Sequence, residues 1–140
     1  MRSGFPYRLS SGVDNSLTGI NGDTPDRIAD WRLPDNRSRG EKINAYFDRA
    51  AFTRNAIGTF GNVGVNAMRG PGFWNEDMGV SRAVRIHESK RVEFRASFFN
   101  LFNNVNFSNP GATLGSPTFG QLTGTAGLPR IIELGLKFYY

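Results

Sequence analysis

The chain has 140 residues and a formal charge of +5, from 17 Lys and Arg against 12 Asp and Glu, and it has no cysteine. The missing thiols exclude a disulfide framework and a thiolate metal site. Fourteen of the seventeen cations are Arg, spread from Arg2 to Arg130 without gathering into the stripe a nucleic-acid binder uses, so no nucleic-acid partner is expected.

Arg scattered among Asp and Glu points instead to ion pairs in a wet interior and in loops, or to contacts with anionic lipid headgroups. Seventeen Gly, twelve Phe and seven Pro favour β-structure with much loop, because Gly and Pro punctuate turns and Phe favours strands. The first residues, MRSGFP, carry no apolar run of a signal peptide. No segment approaches the ~18 apolar residues of a transmembrane helix.

In chain order, a weak strand is expected over residues 4–9, followed by a loop-rich region over residues 10–72. Asp14, Asp23, Asp26, Asp30 and Asp35 supply oxygens of the kind that hold calcium. Their spacing is not that of an EF-hand, and Asx residues are common in turns, so turn chemistry is the reading adopted and no metal is expected. Residues 41–52 (EKINAYFDRAAF) are compatible with a short helix that places Ile43, Tyr46, Phe47 and Ala50 on one side. The glycine-rich run over residues 58–72 lacks the Gly-Lys-Ser/Thr end of a phosphate loop, and its glycines are read as turn-formers.

Three strands follow. Over residues 73–86, Trp74, Met78, Val80, Val84 and Ile86 alternate with Asn75, Asp77, Gly79, Ser81 and Arg85; Glu76 and Arg82 interrupt the apolar face. Over residues 91–102, Val92, Phe94, Ala96, Phe98 and Phe102 share a face with Asn100. Glu93, Arg95, Ser97, Phe99 and Leu101 share the other. Over residues 130–140, Ile132, Leu134, Leu136, Phe138 and Tyr140 oppose Ile131, Glu133, Gly135, Lys137 and Tyr139.

Period-two alternation over about 9–11 residues, with an aromatic at the end, is the pattern of a strand with lipid on one side and a polar lumen on the other. The first two of these strands are separated by His87-Glu88-Ser89-Lys90, a hairpin-length link. Long polar segments lie before the first strand and over residues 103–129. Long, short, long is the connection pattern of an outer-membrane barrel, with short periplasmic turns and longer external loops.

The expected fold class is therefore all-β: an antiparallel transmembrane β-barrel fragment, its last three to four strands carrying long extracellular loops. Such barrels begin at about eight strands, so residues 1–140 are expected to form the C-terminal part of a larger barrel. No enzymatic constellation is found. His87, the only histidine, falls in the tight turn without the Ser and acid partners of a catalytic group or the co-ligands of a metal, and no cofactor is expected.

Four segments resemble a known family: SGVDNSLTG (residues 11–19), GTFGNVGVNAMRGPGFWN (58–75), EFRASFFNLFN (93–103) and PRIIELGLKF (129–138). In order and spacing they are similar to the C-terminal region of TonB-dependent receptors of the Oar-like kind. That resemblance implies a barrel of about 22 strands around a plug, in the outer membrane of a Gram-negative bacterium. It implies import of a scarce nutrient, driven through the TonB complex that the parent receptor engages. This chain would then supply barrel wall and extracellular loops, in contact with outer-membrane lipid.

The terminal alternation of Ile132, Leu134, Leu136, Phe138 and Tyr140 also resembles the signal by which the barrel-assembly machinery recognises its clients. The rival reading is a soluble all-β carbohydrate-binding module, with Trp31, Trp74 and the tyrosines forming a sugar-stacking platform.

Overall fold

The computed structural model describes residues 1–140. Its short elements, in chain order, are β1 (Pro6–Tyr7), β2 (Asp26–Arg27), α1 (Arg39–Asn44), β3 (Phe52–Thr53) and β4 (Met68–Arg69). Three long strands follow: β5 (Met78–Arg85), β6 (Arg91–Phe99) and β7 (Ile131–Tyr139). The long strands form one antiparallel sheet in the order β5-β6-β7.

The register turns three amphipathic strands into two continuous faces. Met78, Phe98 and Ile132 form one cross-strand row; Val80, Ala96 and Leu134 form the next, and Val84, Val92 and Phe138 the last. Between these two lies the row Arg82, Phe94, Leu136. The opposite face carries Ser81 beside Arg95, Ala83 beside Glu93 and Lys137, and Ser97 beside Glu133. A slip of one residue would put every apolar side chain on the polar face, so the pattern itself specifies the pairing.

The remaining residues are not loose. Segments 1–77 and 100–130 pack together at the end of the sheet away from the β5–β6 hairpin. Their core holds Tyr7, Leu9, Phe47, Ala51, Phe52, Val63, Met68 and Phe119. Phe47 meets Phe52 and Phe119 edge to face at 5.5 and 5.1 Å, the arrangement favoured by the ring quadrupole.

Backbone bonds stitch the second loop onto the first. Ser10 donates to Ala112 (2.9 Å), Leu114 to Ser10 (2.8 Å), Tyr46 to Gly120 (2.7 Å) and Leu122 to Ile43 (2.9 Å). β1 pairs with β4 and β2 with β3, each over two residues. Close backbone approach explains glycines of the run over residues 58–72: a Cβ at Gly61 would overlap the Thr24 carbonyl, and one at Gly70 the Asn109 side chain.

The structure corrects several sequence expectations. The strand expected over residues 4–9 forms only at Pro6–Tyr7. The strand expected from residue 73 begins at Met78, because Trp74 is held by Asn106 and not by the ladder: its N–H donates to Asn106 Oδ1 at 2.8 Å. The strand expected to reach residue 102 ends at Phe99, since Asn100 adopts φ +52°, a left-handed conformation that strands do not accommodate.

The helix expected over residues 41–52 runs instead from Arg39 to Asn44, set by the Ser38–Glu41 capping box. Ala45 then turns extended, a 3-10 turn covers Arg49–Ala51, and Phe52 enters β3. Packing of Phe47 and the Tyr46–Gly120 bond outweigh the weak local helical preference.

Ion pairs were also over-expected. The chain has one, an exposed contact between Arg32 and Asp30 at 3.5 Å. Arginines mostly donate to carbonyls, as Arg8 does to Gly22 (2.7 Å), or stack on rings, as Arg2 does on Phe5 and Phe73. No helix is long and apolar enough to cross a membrane.

Candidate functional site

The C-terminal strand is placed as its alternation requires. Ile132, Leu134, Leu136 and Phe138 project from one face of β7, with exposures of 51, 69, 75 and 53%. Tyr140 lies just past the strand and stacks on Phe138, ring centroids 6.4 Å apart. Side chains this apolar and this open, continued by Phe94 on β6 and by Val80 and Val84 on β5, leave the face without a protein partner.

The dimensions suit a bilayer. Nine residues of β7 at about 3.3 Å each make roughly 30 Å of strand. At a tilt of about 40° this projects to roughly 23 Å, against an apolar band about 25 Å tall. Aromatics mark both ends: Phe138 and Tyr140 at one, and Trp74 stacked on Phe102 at 5.4 Å at the other.

The opposite face is polar where it meets the next strand. Tyr139 donates its hydroxyl to Glu93 Oε2 at 3.1 Å, and the Arg91 guanidinium lies 4.0 Å from the centre of the Tyr139 ring. The faces thus divide as hydrocarbon and wet lumen divide in a barrel wall.

Where the three strands meet the loops, a group of asparagines ties their ends together. Asn100 takes the Asp77 carboxylate on its N–H (2.9 Å). Its side-chain amide donates to the carbonyls of Asn104 and Leu128, both at 3.0 Å, and its Oδ1 accepts from the Asn104 N–H at 2.9 Å. Asn103 Oδ1 accepts from the Arg130 N–H at 3.2 Å. Asn104 and Asn106 both donate to the Trp74 carbonyl, at 3.1 and 2.9 Å.

The entrance to β5, the exit from β6 and the entrance to β7 are therefore joined by side chains rather than by a turn. Sequence reasoning missed this cluster. Its signal was four Asn within seven residues, 100–106, a density that ordinary loop composition does not require.

The acidic loop is built as turns. Asp14 accepts from the N–H groups of Thr18 (3.1 Å) and Gly19 (2.7 Å), and Asp23 from the Ser16 N–H (2.7 Å) and hydroxyl (2.8 Å). Bonds from the Ser16 N–H and hydroxyl hold the Asp23 carboxyl below its ordinary pKa. At Asp14, desolvation acts the other way but is outweighed by the bonds from Gly19 and Thr18, so its pKa is lowered too. Asp26 accepts from the Asn62 N–H (2.9 Å) and Asp30 from the Arg32 N–H (3.1 Å). The Ser16 hydroxyl touches both Asp14 (3.2 Å) and Asp23 (2.8 Å), but these carboxylates do not gather in a group of three or more able to hold a metal ion. His87 sits in the β5–β6 turn, where its N–H donates to Lys90 O at 3.2 Å.

The loop body also contains a cleft of about 830 Å³ lined from both long segments, by Trp31, Arg39, Lys42, Tyr46, Arg69 and Phe107 among others. Tyr46 donates its hydroxyl to the Arg69 carbonyl at 3.2 Å, and burial raises its pKa. Trp74 lines a different hollow, with Phe73 and Val105, so Trp31 and Trp74 do not form one sugar-stacking platform. The sheet also has no second sheet packed on it, unlike a sandwich.

Among known protein families, the model of one described as an outer membrane beta barrel domain matches residues 1–133. No curated protein and no solved structure matches the chain.

Proposed function

The chain belongs to the outer membrane beta barrel domain family and is a protein of the Gram-negative outer membrane, and from that premise we propose that it forms part of a TonB-dependent, Oar-like receptor that imports a nutrient. The observation that carries this reading is the division of the molecule. An amphipathic wall of three strands stands at one end, and a packed body of two long loops is gathered wholly at the other. A wall with all its connecting mass on one side is the arrangement of a barrel that presents binding loops outward.

Three strands close no barrel, and the outer edges of β5 and β7 carry unpaired backbone groups. Those edges continue in further strands of the same receptor, which also supplies the plug and the contact with the TonB complex. The work is transport and not catalysis. β7, with Ile132, Leu134, Leu136, Phe138 and Tyr140, serves both as lipid contact and as the signal read by the barrel-assembly machinery. The four segments similar to Oar-like receptors support the same assignment.

The test is made in the source bacterium. An epitope placed at Leu17–Thr18, in the exposed turn of the acidic loop, should be reached by antibody on intact cells. Loss of the gene should abolish growth on at least one limiting nutrient, and loss of the TonB complex should reproduce that defect without additive effect. A surface-exposed protein whose loss leaves growth unchanged on every nutrient that needs TonB would overturn the transport reading.

A further inference from the structure

We infer that the cleft between the two long loops is a binding site for a compact polyanion with a flat or apolar body. The inference rests on the receptor reading only for which side of the membrane the cleft faces. Five cations line it, Arg32, Arg37, Arg39, Lys42 and Arg69, against the single carboxylate of Asp35.

Their engagement is unequal. Arg37 is spent on the carbonyls of Pro34 (3.0 Å) and Ala45 (2.6 Å), and Arg32 on Asp30 at 3.5 Å. Arg69 reaches only the Gly4 carbonyl, at 3.4 Å. The side chains of Arg39 and Lys42 make no hydrogen bond; Arg39 lies over the Phe107 ring at 5.5 Å.

The acid nearest in sequence does not neutralise them. Glu41 turns back to accept from the Ser38 hydroxyl and N–H, both at 2.7 Å, and those bonds, with Arg37 nearby, hold its pKa low. Like charges left together with too few counter-charges raise the free energy of the unliganded protein, and a ligand carrying several negative charges relieves that repulsion.

The walls between the cations are apolar: Trp31, Ile43, Tyr46, Phe107 and Leu122. Rings and aliphatic side chains around a few charged groups are how small-molecule sites combine affinity with orientation, and the volume falls within the roughly 300–1,000 Å³ such sites occupy. Pro71 and Phe107 are shared with the neighbouring hollow beside Trp74, at the end of the sheet that carries the loop body. Two sources therefore present the same chemistry to the cleft: a dissolved polyanion, or the phosphates of an outer-leaflet lipid.

The probe is pyranine, a flat aromatic polysulfonate, titrated into the full chain in neutral detergent micelles and followed by fluorescence anisotropy. Saturable binding is expected. The double substitution Arg39→Gln with Lys42→Gln should weaken it by about tenfold or more, the scale of losing charge-assisted contacts. Arg85→Gln with Arg91→Gln, an equal charge change at the far end of the sheet, should leave it within about twofold.

Protection of the Leu122 amide, which donates to Ile43, reports whether the body remains folded. If the double variant loses that protection, Arg39→Gln alone carries the test, because that side chain makes no hydrogen bond. Displacement by inorganic pyrophosphate but not by lipid A identifies a dissolved ligand, and the reverse identifies a lipid headgroup. Absence of saturable binding, or equal weakening by both double variants, would overturn the site. Because binding is read on the isolated chain, that result leaves the uptake reading to its own growth test.

Discussion

Asn100 shows how one side chain can decide where a strand stops. Its φ of +52° is tolerated by Asn better than by most residues, and its amide bridges the segments leading out of β6 and into β7. Asn100→Ala removes three side-chain hydrogen bonds and keeps the unfavourable backbone conformation. The expected cost is about 1–3 kcal/mol, read as a lower urea midpoint in detergent micelles, and an unchanged midpoint would mean that water replaces the amide without loss.

Asp14 and Asp23 make a pH-dependent prediction at the same scale. Both have pKa values lowered in the folded loop. Their stabilising contribution is therefore complete above the unfolded carboxylate value of about 3.9 and is lost as pH falls through the lower folded values. Hydrogen exchange at the Ser16 and Gly19 amides, corrected for intrinsic rates, should lose protection only below about pH 4. In Asp14→Asn with Asp23→Asn that acid-dependent loss should disappear, and protection should already be weaker at neutral pH.

At the scale of the element, β5 and β7 carry opposite lessons. β7 keeps its apolar face uninterrupted from Ile132 to Phe138, whereas β5 puts Arg82 beside Phe94, in line with Leu136. Arg facing lipid near the midplane of a barrel costs roughly 2–4 kcal/mol, less toward the interfaces. Arg82→Leu should therefore raise the folded fraction in phosphatidylcholine vesicles, measured by tryptophan fluorescence during urea titration. A lower folded fraction would instead assign Arg82 a partner on that face.

For β7, deletion of Phe138, Tyr139 and Tyr140 from the expressed outer-membrane protein should sharply reduce its recovery in the outer membrane. The same deletion should leave the loop core intact, since Phe47, Phe52 and Phe119 do not depend on these residues. Undiminished recovery would count against a role for the strand in assembly.

The whole molecule divides its stabilisation between two environments. The sheet buries little in protein, Ala96 being its one buried apolar residue, and depends on a surrounding apolar medium. The loop body supplies its own core around Phe47, which has no exposed surface. Phe47→Ala should cost the body about 3–5 kcal/mol, seen as lost amide protection at Tyr46 and Leu122. Amides of the β6–β7 ladder should remain protected in detergent; simultaneous loss of both would show that the two parts fold as one unit.

Much of the wall was legible in the chain itself. Alternation of apolar and polar residues has a period of two, which is local information. It identified the three strands, their faces and the short β5–β6 hairpin to within a few residues. The all-β class followed from the same pattern together with the Gly, Phe and Pro content.

The loop body was not legible. Its core joins Tyr7, Phe47, Met68 and Phe119, residues far apart in sequence whose local patterns are weak or lacking. The helix expected over residues 41–52 was shortened by contacts with residues near 120, and the asparagine group gained its meaning only when three strand ends met. The cleft likewise draws Lys42, Arg69 and Phe107 from separate segments. Strand periodicity is written along a chain because each residue's direction follows from its neighbours. A core or a binding cleft is not, because it depends on which distant segments pack, and that is decided only when the apolar surfaces and hydrogen-bonding groups of both loops are satisfied together.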